Sequence, residues 1–137
     1  MTATTGPVVV LHLGEGASAP DALGDPRLAK ATAKDTGGAY TLHESTRLPG
    51  RGAPPHVHHK HEEAFYVLDG AIEFTVDETR ITAGAGSFVL VARGTQHAFT
   101  VIGDTPARYL CIFSPPITQE ERDSLAQQVR AMNRSGS

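Results

Sequence analysis

Six side chains able to bind a metal or transfer a proton lie within eight consecutive positions: His56, His58, His59, His61, Glu62 and Glu63. The segment holds four of the seven histidines of the chain. Imidazole nitrogens beside a carboxylate suit borderline divalent transition metals. Glycine and proline precede the segment, and strand-forming residues follow it. We therefore predict a metal site at the mouth of a small β-barrel.

The spacing within this segment constrains which side chains can converge. His56 and His58 are two residues apart, so in a strand they share a face. Glu63 is an odd number of residues beyond His58, and a continuous strand would turn it to the other side. A hairpin connection through residues 59–62 would let Glu63 face the same interior from the next strand. His97, which follows a predicted tight turn, is a further candidate from far along the chain.

Composition excludes several classes of protein. The chain has 137 residues, which suits one domain, and 12 basic against 15 acidic residues give a net charge of −3. Without a basic block, nucleic acid is not an expected partner. The apolar run at residues 8–13 is too short for a membrane span and lacks the basic flank of a signal peptide. A single cysteine, Cys111, excludes an internal disulfide, predicts a cytoplasmic protein and is expected to be a small buried residue.

The pattern of strand-forming residues and turns predicts an antiparallel sandwich or barrel. Residues 8–13 read as a first strand, and residues 14–38 as mostly loop, with one short helix beginning at residues 25–27. Further strands are predicted near 40–47, 55–59, 63–69, 71–77, 87–91, 96–102 and 107–113. At the end, Thr118 and Glu121 form a possible capping box. The apolar residues Leu125, Val129 and Met132 then follow on one face of a predicted helix over 118–132.

Two motifs in the chain resemble those of the cupin superfamily. The first motif, Gly50-x5-His56-x-His58-x4-Glu63-x6-Gly70, matches in full. The second, Gly86-x5-Ala92-x-Gly94-x2-His97, departs from the family in two places. Ala92 stands where the family usually has proline, and Val101 where it often has asparagine. Neither departure removes a candidate ligand.

The resemblance implies an all-β fold, an antiparallel double-sheet jelly-roll barrel with a short C-terminal helix. A single domain would span residues 1–137, with an N-terminal strand and loop over 1–38, a barrel core over 39–114 and the helix over 118–132. It implies one six-coordinate divalent metal per chain, held by His56, His58, Glu63 and His97. Fe(II), Mn(II), Ni(II), Co(II), Cu(II) and Zn(II) all suit such ligands, and iron is one candidate among them.

The same resemblance implies a small-molecule substrate and leaves three functions open. The favoured one is oxidation of an enol or phenol, as in the quercetin dioxygenase-like group, with Glu63 as both ligand and proton acceptor. The alternative is a non-redox isomerase, lyase or polyketide cyclase that uses the metal as a Lewis acid. The second alternative is a non-catalytic sensor of a small molecule or metal. Cupins often pair through N-terminal strands, so the resemblance also predicts a homodimer, with residues 8–13 crossing to the partner.

The remaining polar and aromatic residues are assigned by position. Phe99 is two residues past His97 and shares its face in a strand, so Phe99 and Tyr40 are predicted to line the substrate pocket. The neighbours of the predicted ligands, His59, His61 and Glu62, are expected to be exposed turn residues, with His61 the best placed to support the ligands. Both His12 and His43 are expected to be surface or packing histidines.

Overall fold

The chain folds into ten strands followed by one helix. The structure is a computed structural model that describes residues 8–135, with side chains described to residue 131. Its elements are β1 (Ala17–Ser18), β2 (Arg27–Ala31), β3 (Thr41–Arg47), β4 (Gly52–His56), β5 (Glu62–Asp69), β6 (Ala71–Val76), β7 (Thr79–Gly84), β8 (Phe88–Val91), β9 (His97–Ile102), β10 (Ala107–Ser114) and α1 (Gln119–Ser135).

Two antiparallel sheets make up the barrel. The larger sheet has the strand order β1-β2-β3-β10-β5-β8, and the smaller has the order β4-β9-β6-β7. Each hydrogen-bonded pair of strands is antiparallel, as the regular spacing of turns predicts. The predicted double-sheet jelly-roll with a C-terminal helix is confirmed.

Alternation along the strands decides which side chains enter the barrel. In β10 every second residue is buried, and the inward residues include Tyr109 and Cys111. Inside the barrel, Tyr109 joins Phe65, Phe74 and Phe99 in an aromatic cluster with ring centroids 4.9–6.3 Å apart. Such edge-to-face and tilted pairs are favourable packing geometries for buried rings. The cluster joins the two sheets, since Phe65 comes from the larger sheet and Phe74 and Phe99 come from the smaller.

Two glycines allow the backbones to approach closely. Gly70 joins β5 to β6 with a φ of +78°, and a Cβ there would lie 2.6 Å from the carbonyl oxygen of Pro106. A Cβ on Gly52 would lie 1.8 Å from the carbonyl oxygen of Phe99. Any larger residue at either position would push neighbouring strands apart.

The N-terminal part of the chain differs from the sequence prediction. Residues 8–13 form no strand, and the side chains of Val9 and Val10 are 43% and 40% exposed. Instead, the predicted loop contains β1 and β2, and the helix predicted at residues 25–27 is wrong because β2 begins at Arg27. The reason is tertiary: β2 pairs with β3, with Arg27 opposite Ser45. Residues 8–13 are rich in strand-forming side chains, but they form no strand because they do not pair with a neighbouring strand. The first seven residues lie outside the described part.

The predicted C-terminal helix is confirmed, and its first turn is capped as expected. The backbone N–H of Glu121 donates to Oγ1 of Thr118 at 3.2 Å, and the Thr118 hydroxyl donates to Oε1 of Glu121 at 3.0 Å. Leu125 and Val129 turn toward the barrel interior, whereas the Met132 side chain lies outside the described residues. Among residues 8–135, no helix is long and apolar enough to cross a membrane.

Candidate metal centre

Four side chains from three strands and one connection meet at one end of the barrel interior. The ligand atoms of His56, His58, Glu63 and His97 all lie within 4.8 Å of one another. His56 ends β4 and pairs directly with His97, which begins β9. Glu63 reaches the cluster from β5 in the opposite sheet. The four residues singled out through the motifs are therefore brought together by the fold.

The route by which Glu63 reaches the interior differs from the hairpin expected from strand parity. β4 pairs with β9, whereas β5 pairs with β10 and β8, so β4 and β5 do not form a hairpin. Residues 57–61 cross from one sheet to the other. Because the two sheets face each other, an inward residue of β5 points back toward an inward residue of β4. This change of sheet explains why His58 and Glu63 face the same interior although an odd number of residues separates them.

Backbone carbonyls fix the tautomer of two of the imidazoles. Nδ1–H of His56 donates to the carbonyl oxygen of Pro54 at 2.7 Å, and Nδ1–H of His97 donates to that of Thr95 at 3.0 Å. A carbonyl oxygen only accepts, so each ring carries a proton on Nδ1 and would bind a metal through Nε2. Such second contacts commonly orient metal-binding histidines. In His97 the Nε2 atom contacts Oε1 of Glu63 at 2.9 Å, so its proton would have to leave before a metal binds.

His58 provides a further sign that the cluster suits a metal ion. Its Nε2 is buried and has no hydrogen-bond partner among the described residues. The atom lies 3.5 Å from Oε1 of Glu63, within the range of an ion pair but without the geometry of a hydrogen bond. An unsatisfied buried nitrogen is costly, and a metal ion would satisfy it. The donor set of three imidazoles and one carboxylate therefore fits a borderline divalent metal.

The charges within the cluster favour an ionised carboxylate. Burial alone would raise the pKa of Glu63, but the neighbouring imidazoles of His58 and His97 hold it well below its usual range. Burial alone would lower the pKa of His97, but its 2.9 Å contact with Oε1 of Glu63 outweighs that effect and raises it. Burial lowers the pKa of His56, which favours the neutral ring that a metal requires.

Cys111 supports the second carboxylate oxygen. Its Sγ–H donates to Oε2 of Glu63 at 3.3 Å. Burial raises the pKa of this thiol well above its ordinary value, so it stays protonated and can donate. The sequence predicts only that Cys111 is a small buried residue, because nothing local shows that β10 lies beside β5.

The neighbouring candidates divide between surface and interior. His59 is exposed, and the side chain of Glu62 is 45% exposed, with a 3.9 Å ion pair to Arg93. His61 is only 3% exposed, so the expectation of an exposed turn residue is wrong. Its Nδ1–H donates to the carbonyl oxygen of Pro115 at 2.9 Å, and its Nε2 contacts the carboxylate of Glu121 on α1.

A cavity opens beside the cluster and extends toward α1. His56, His58 and Glu63 line one part of it, and Leu125 and Val129 of α1 line another. The lining also includes aromatic and polar side chains from both sheets: Phe65, Phe99, Tyr109, Phe113, His43, Ser45 and Arg47.

The two residues predicted to line a substrate pocket lie in different places. Phe99 is 5% exposed and lines the cavity, whereas Tyr40 is 40% exposed and lies outside the lining. Tyr40 precedes β3 and is therefore not part of its inward row.

Sequence reasoning missed the polar inner face of β3. Thr41, His43, Ser45 and Arg47 alternate along this strand and are all buried. Their alternation is visible in the sequence, but polar residues at every second position usually indicate a solvent-facing side. His43 is therefore a buried cavity residue, whereas His12 is exposed.

Fold and site together define a small double-sheet β-barrel protein with a His/Glu cluster that could bind a metal ion. Residues 44–113 match the family model described as Cupin domain, and the chain belongs to this family.

Relatives of known name match the chain over part of its length. It is 33% identical over 91 residues to L-ectoine synthase of Bordetella petrii, covering 64% of this chain and 66% of the relative. It is also 33% identical over 89 residues to L-ectoine synthase of Mycolicibacterium vanbaalenii, with shares of 64% and 66%. The match thus spans just under two thirds of these relatives.

Solved structures show the same fold at lower identity. KdgF from Halomonas sp. has a TM-score of 0.65 and 19% identity, over 77% of this chain and 93% of that one. Ectoine synthase from P. lautus has a TM-score of 0.60 and 22% identity, over 70% and 67%. The cupin resemblance is confirmed, whereas these relatives give no specific support for the quercetin dioxygenase-like group.

Proposed function

We propose that this protein is a metal-dependent enzyme that uses a divalent metal as a Lewis acid on a small organic molecule. The reaction would be non-redox, of the cyclase, lyase or isomerase type. The observation that carries this proposal is the convergence of His56, His58, Glu63 and His97, three of them buried and His56 half-buried, beside a cavity. Ligands held in place before the metal arrives need little rearrangement to bind it.

A bound divalent metal would polarise a carbonyl or hydroxyl oxygen of the substrate and lower the free energy of a developing negative charge. The three imidazoles and Glu63 would hold the ion. Phe65, Phe99 and Phe113 line the cavity and would exclude water from the reacting group. Their packing around a small ligand would also favour one orientation.

Glu63 is better suited to a ligand role than to the proton-acceptor role that the cupin resemblance suggested. Its pKa lies well below the usual range of a carboxyl group, and a weak base accepts protons poorly at neutral pH. Cys111 and His97 already contact both carboxylate oxygens. We therefore propose Glu63 chiefly as a metal ligand.

The relatives support the non-redox alternative over the dioxygenase. They are named synthases, and no oxidation is implied by that name. At 33% identity over part of each chain, the substrate of the relatives is not carried over to this protein. The compound in the relatives' name, L-ectoine, is used only as one compound to test.

Reconstitution under argon tests the reaction class. Protein loaded with Zn(II) or Fe(II) would be incubated with L-ectoine and with a panel of small amides, hydroxy acids and enolisable carbonyl compounds, followed by NMR. L-ectoine is included because a catalyst of ring formation also accelerates ring opening. We expect turnover with Zn(II) and without dioxygen, abolished in His97→Ala. The same incubations are repeated in air with an oxygen electrode. Turnover that occurs only in air and consumes dioxygen would contradict the proposal and favour the dioxygenase. Ligand binding without turnover under any condition would favour a sensor.

A further inference from the structure

A second group of ionisable side chains faces the same cavity away from the histidine cluster. Arg27 comes from β2, His43 from β3 and Arg122 from the first turns of α1. None of these is a candidate metal ligand. Three elements that are distant in sequence thus present two guanidinium groups and one imidazole to one space.

The two arginines carry charge that the described residues leave uncompensated. Arg27 lies opposite the inward residue Ser45 and donates from Nε to the carbonyl oxygen of Ala19 at 2.8 Å. Within residues 8–131, no carboxylate forms an ion pair with Arg27 or Arg122. Burial lowers the pKa of Arg27, an effect that nearby Asp21 only partly opposes.

Arg47 provides a contrast in the same cavity. Its guanidinium contacts the carboxylates of both Asp21 and Asp25, and its Nε donates to the hydroxyl oxygen of Tyr109 at 3.1 Å. Asp21 lines the cavity and acts electrostatically on Arg27, but it is already paired with Arg47. The carboxylates therefore neutralise Arg47 and leave Arg27 and Arg122 available.

His43 supplies the second observation that points to a ligand. The residue is 4% exposed, and its Nδ1 has no hydrogen-bond partner among the described residues. Burial lowers the pKa of His43 to about 4, helped by the positive charges of Arg27 and Arg122. The ring is therefore neutral at pH 7, and Nδ1 is a buried polar atom that a ligand can satisfy.

We infer that Arg27, Arg122 and His43 bind a carboxylate group of the substrate. Guanidinium groups match the geometry of a carboxylate, and an anion between them offsets the repulsion between two half-buried positive charges. For the other end of the substrate, the end that meets the metal, the inference rests on the proposed function. The substrate is then a bifunctional small acid, with a carboxylate at one end and a carbonyl or hydroxyl oxygen for the metal at the other.

The register of the strands sets the length of such a molecule. His43 lies opposite Cys111, and Glu63 lies opposite Phe113, two residues along the same strand β10. β3 and β5 flank β10, so their backbones are about 10 Å apart. The two-residue offset lengthens this separation to about 12 Å. After roughly 2–3 Å for the contact at each end, a chain of roughly four to six atoms separates the two ends of the ligand, given about 1.3–1.5 Å per bond.

A matched pair of probes tests this inference. The probes are 4-acetamidobutanoate and its neutral primary amide, titrated into metal-free and Co(II)-loaded protein with calorimetric detection. We expect the acid to bind at least about tenfold more tightly than the amide, as for other hydrogen bonds to charged groups. In Arg27→Gln and Arg122→Gln the acid should lose about tenfold in affinity, while the amide is unchanged within twofold. Arg122→Lys should recover part of the loss.

Two controls distinguish loss of this carboxylate site from a general loss of positive charge and from a loss of metal binding. Arg80→Gln removes an exposed arginine of β7, outside the cavity, and should leave the affinity for the acid unchanged. Co(II) affinity should be the same in the wild type and in both cavity variants. Equal binding of acid and amide, or arginine variants that bind the acid as the wild type does, would overturn the inference. If the wild type binds no Co(II) yet metal-free protein binds the acid through both arginines, the proposed function fails and the carboxylate site stands.

Discussion

Short-range spacing selects the candidate ligand residues, whereas the tertiary structure decides the roles of their neighbours. His56, His58 and Glu63 fit a compact motif, and His97 follows a recognisable turn, so a single sequence suffices to select them. His43 and His61 have no such pattern. Each is buried because a strand or helix far along the chain packs over it, and neither burial nor partner is visible locally.

The titration of the single residue His43 predicts how the stability of the protein depends on pH. Its pKa is about 4 in the folded protein and near 6.5 in the unfolded chain, so the unfolded state binds more protons between these values. Stability contributed by the neutral ring is present above pH 6.5 and is lost as the pH falls toward 4. Through this ring the wild type should lose about 2 kcal/mol of unfolding free energy between pH 7 and pH 5. The His43→Gln variant should lack that part of the loss.

Urea unfolding at pH 7, 6 and 5 measures this difference. Other groups, including His97 with its opposite shift, titrate in both proteins and cancel in the comparison. His12→Gln removes an exposed histidine and should keep the wild-type dependence. Parallel curves for the wild type and His43→Gln would show that His43 has an ordinary pKa.

At the scale of elements, α1 is a wall of the cavity as well as a packed helix. The sequence predicts its amphipathic face and its cap, because both depend on residues within a few positions. It does not predict that His61 meets Glu121, since that contact joins the turn after β4 to the helix. Glu121 thus connects the cap of α1 to the segment between His58 and Glu63.

Removal of Glu121 should loosen this connection. Glu121→Ala loses the contacts with both Thr118 and His61, and we expect a loss of about 1–2 kcal/mol in unfolding free energy. Backbone amides of residues 122–131 should also exchange hydrogen faster. Glu120→Ala removes the same charge from the first turn without these contacts, so it controls for the helix dipole. Equal effects of the two substitutions would show that the His61 contact contributes nothing to stability.

At the scale of the whole molecule, the barrel core is predictable and the N-terminal third is not. From β3 to β10, strand-forming runs and regular turns predict seven of the eight strands. They miss β7, most of whose residues are exposed and show no alternation of apolar side chains. Before β3, irregular sequence forms β1 and β2 only because β3 offers an edge for pairing. The homodimer through residues 8–13 stays a prediction, now without a strand in that segment.

The metal content of the purified protein is the most direct test of the proposed metal centre. Protein prepared without added metal would be analysed for transition elements and then titrated with Co(II) after chelation. We predict about one divalent ion per chain, and a Co(II) affinity at least about tenfold lower in His58→Ala, with unchanged circular dichroism. His59→Ala, an exposed neighbour, should bind as the wild type does. Protein that binds no divalent transition metal, or a His58→Ala variant with undiminished affinity, would contradict the metal centre on which the proposed function depends.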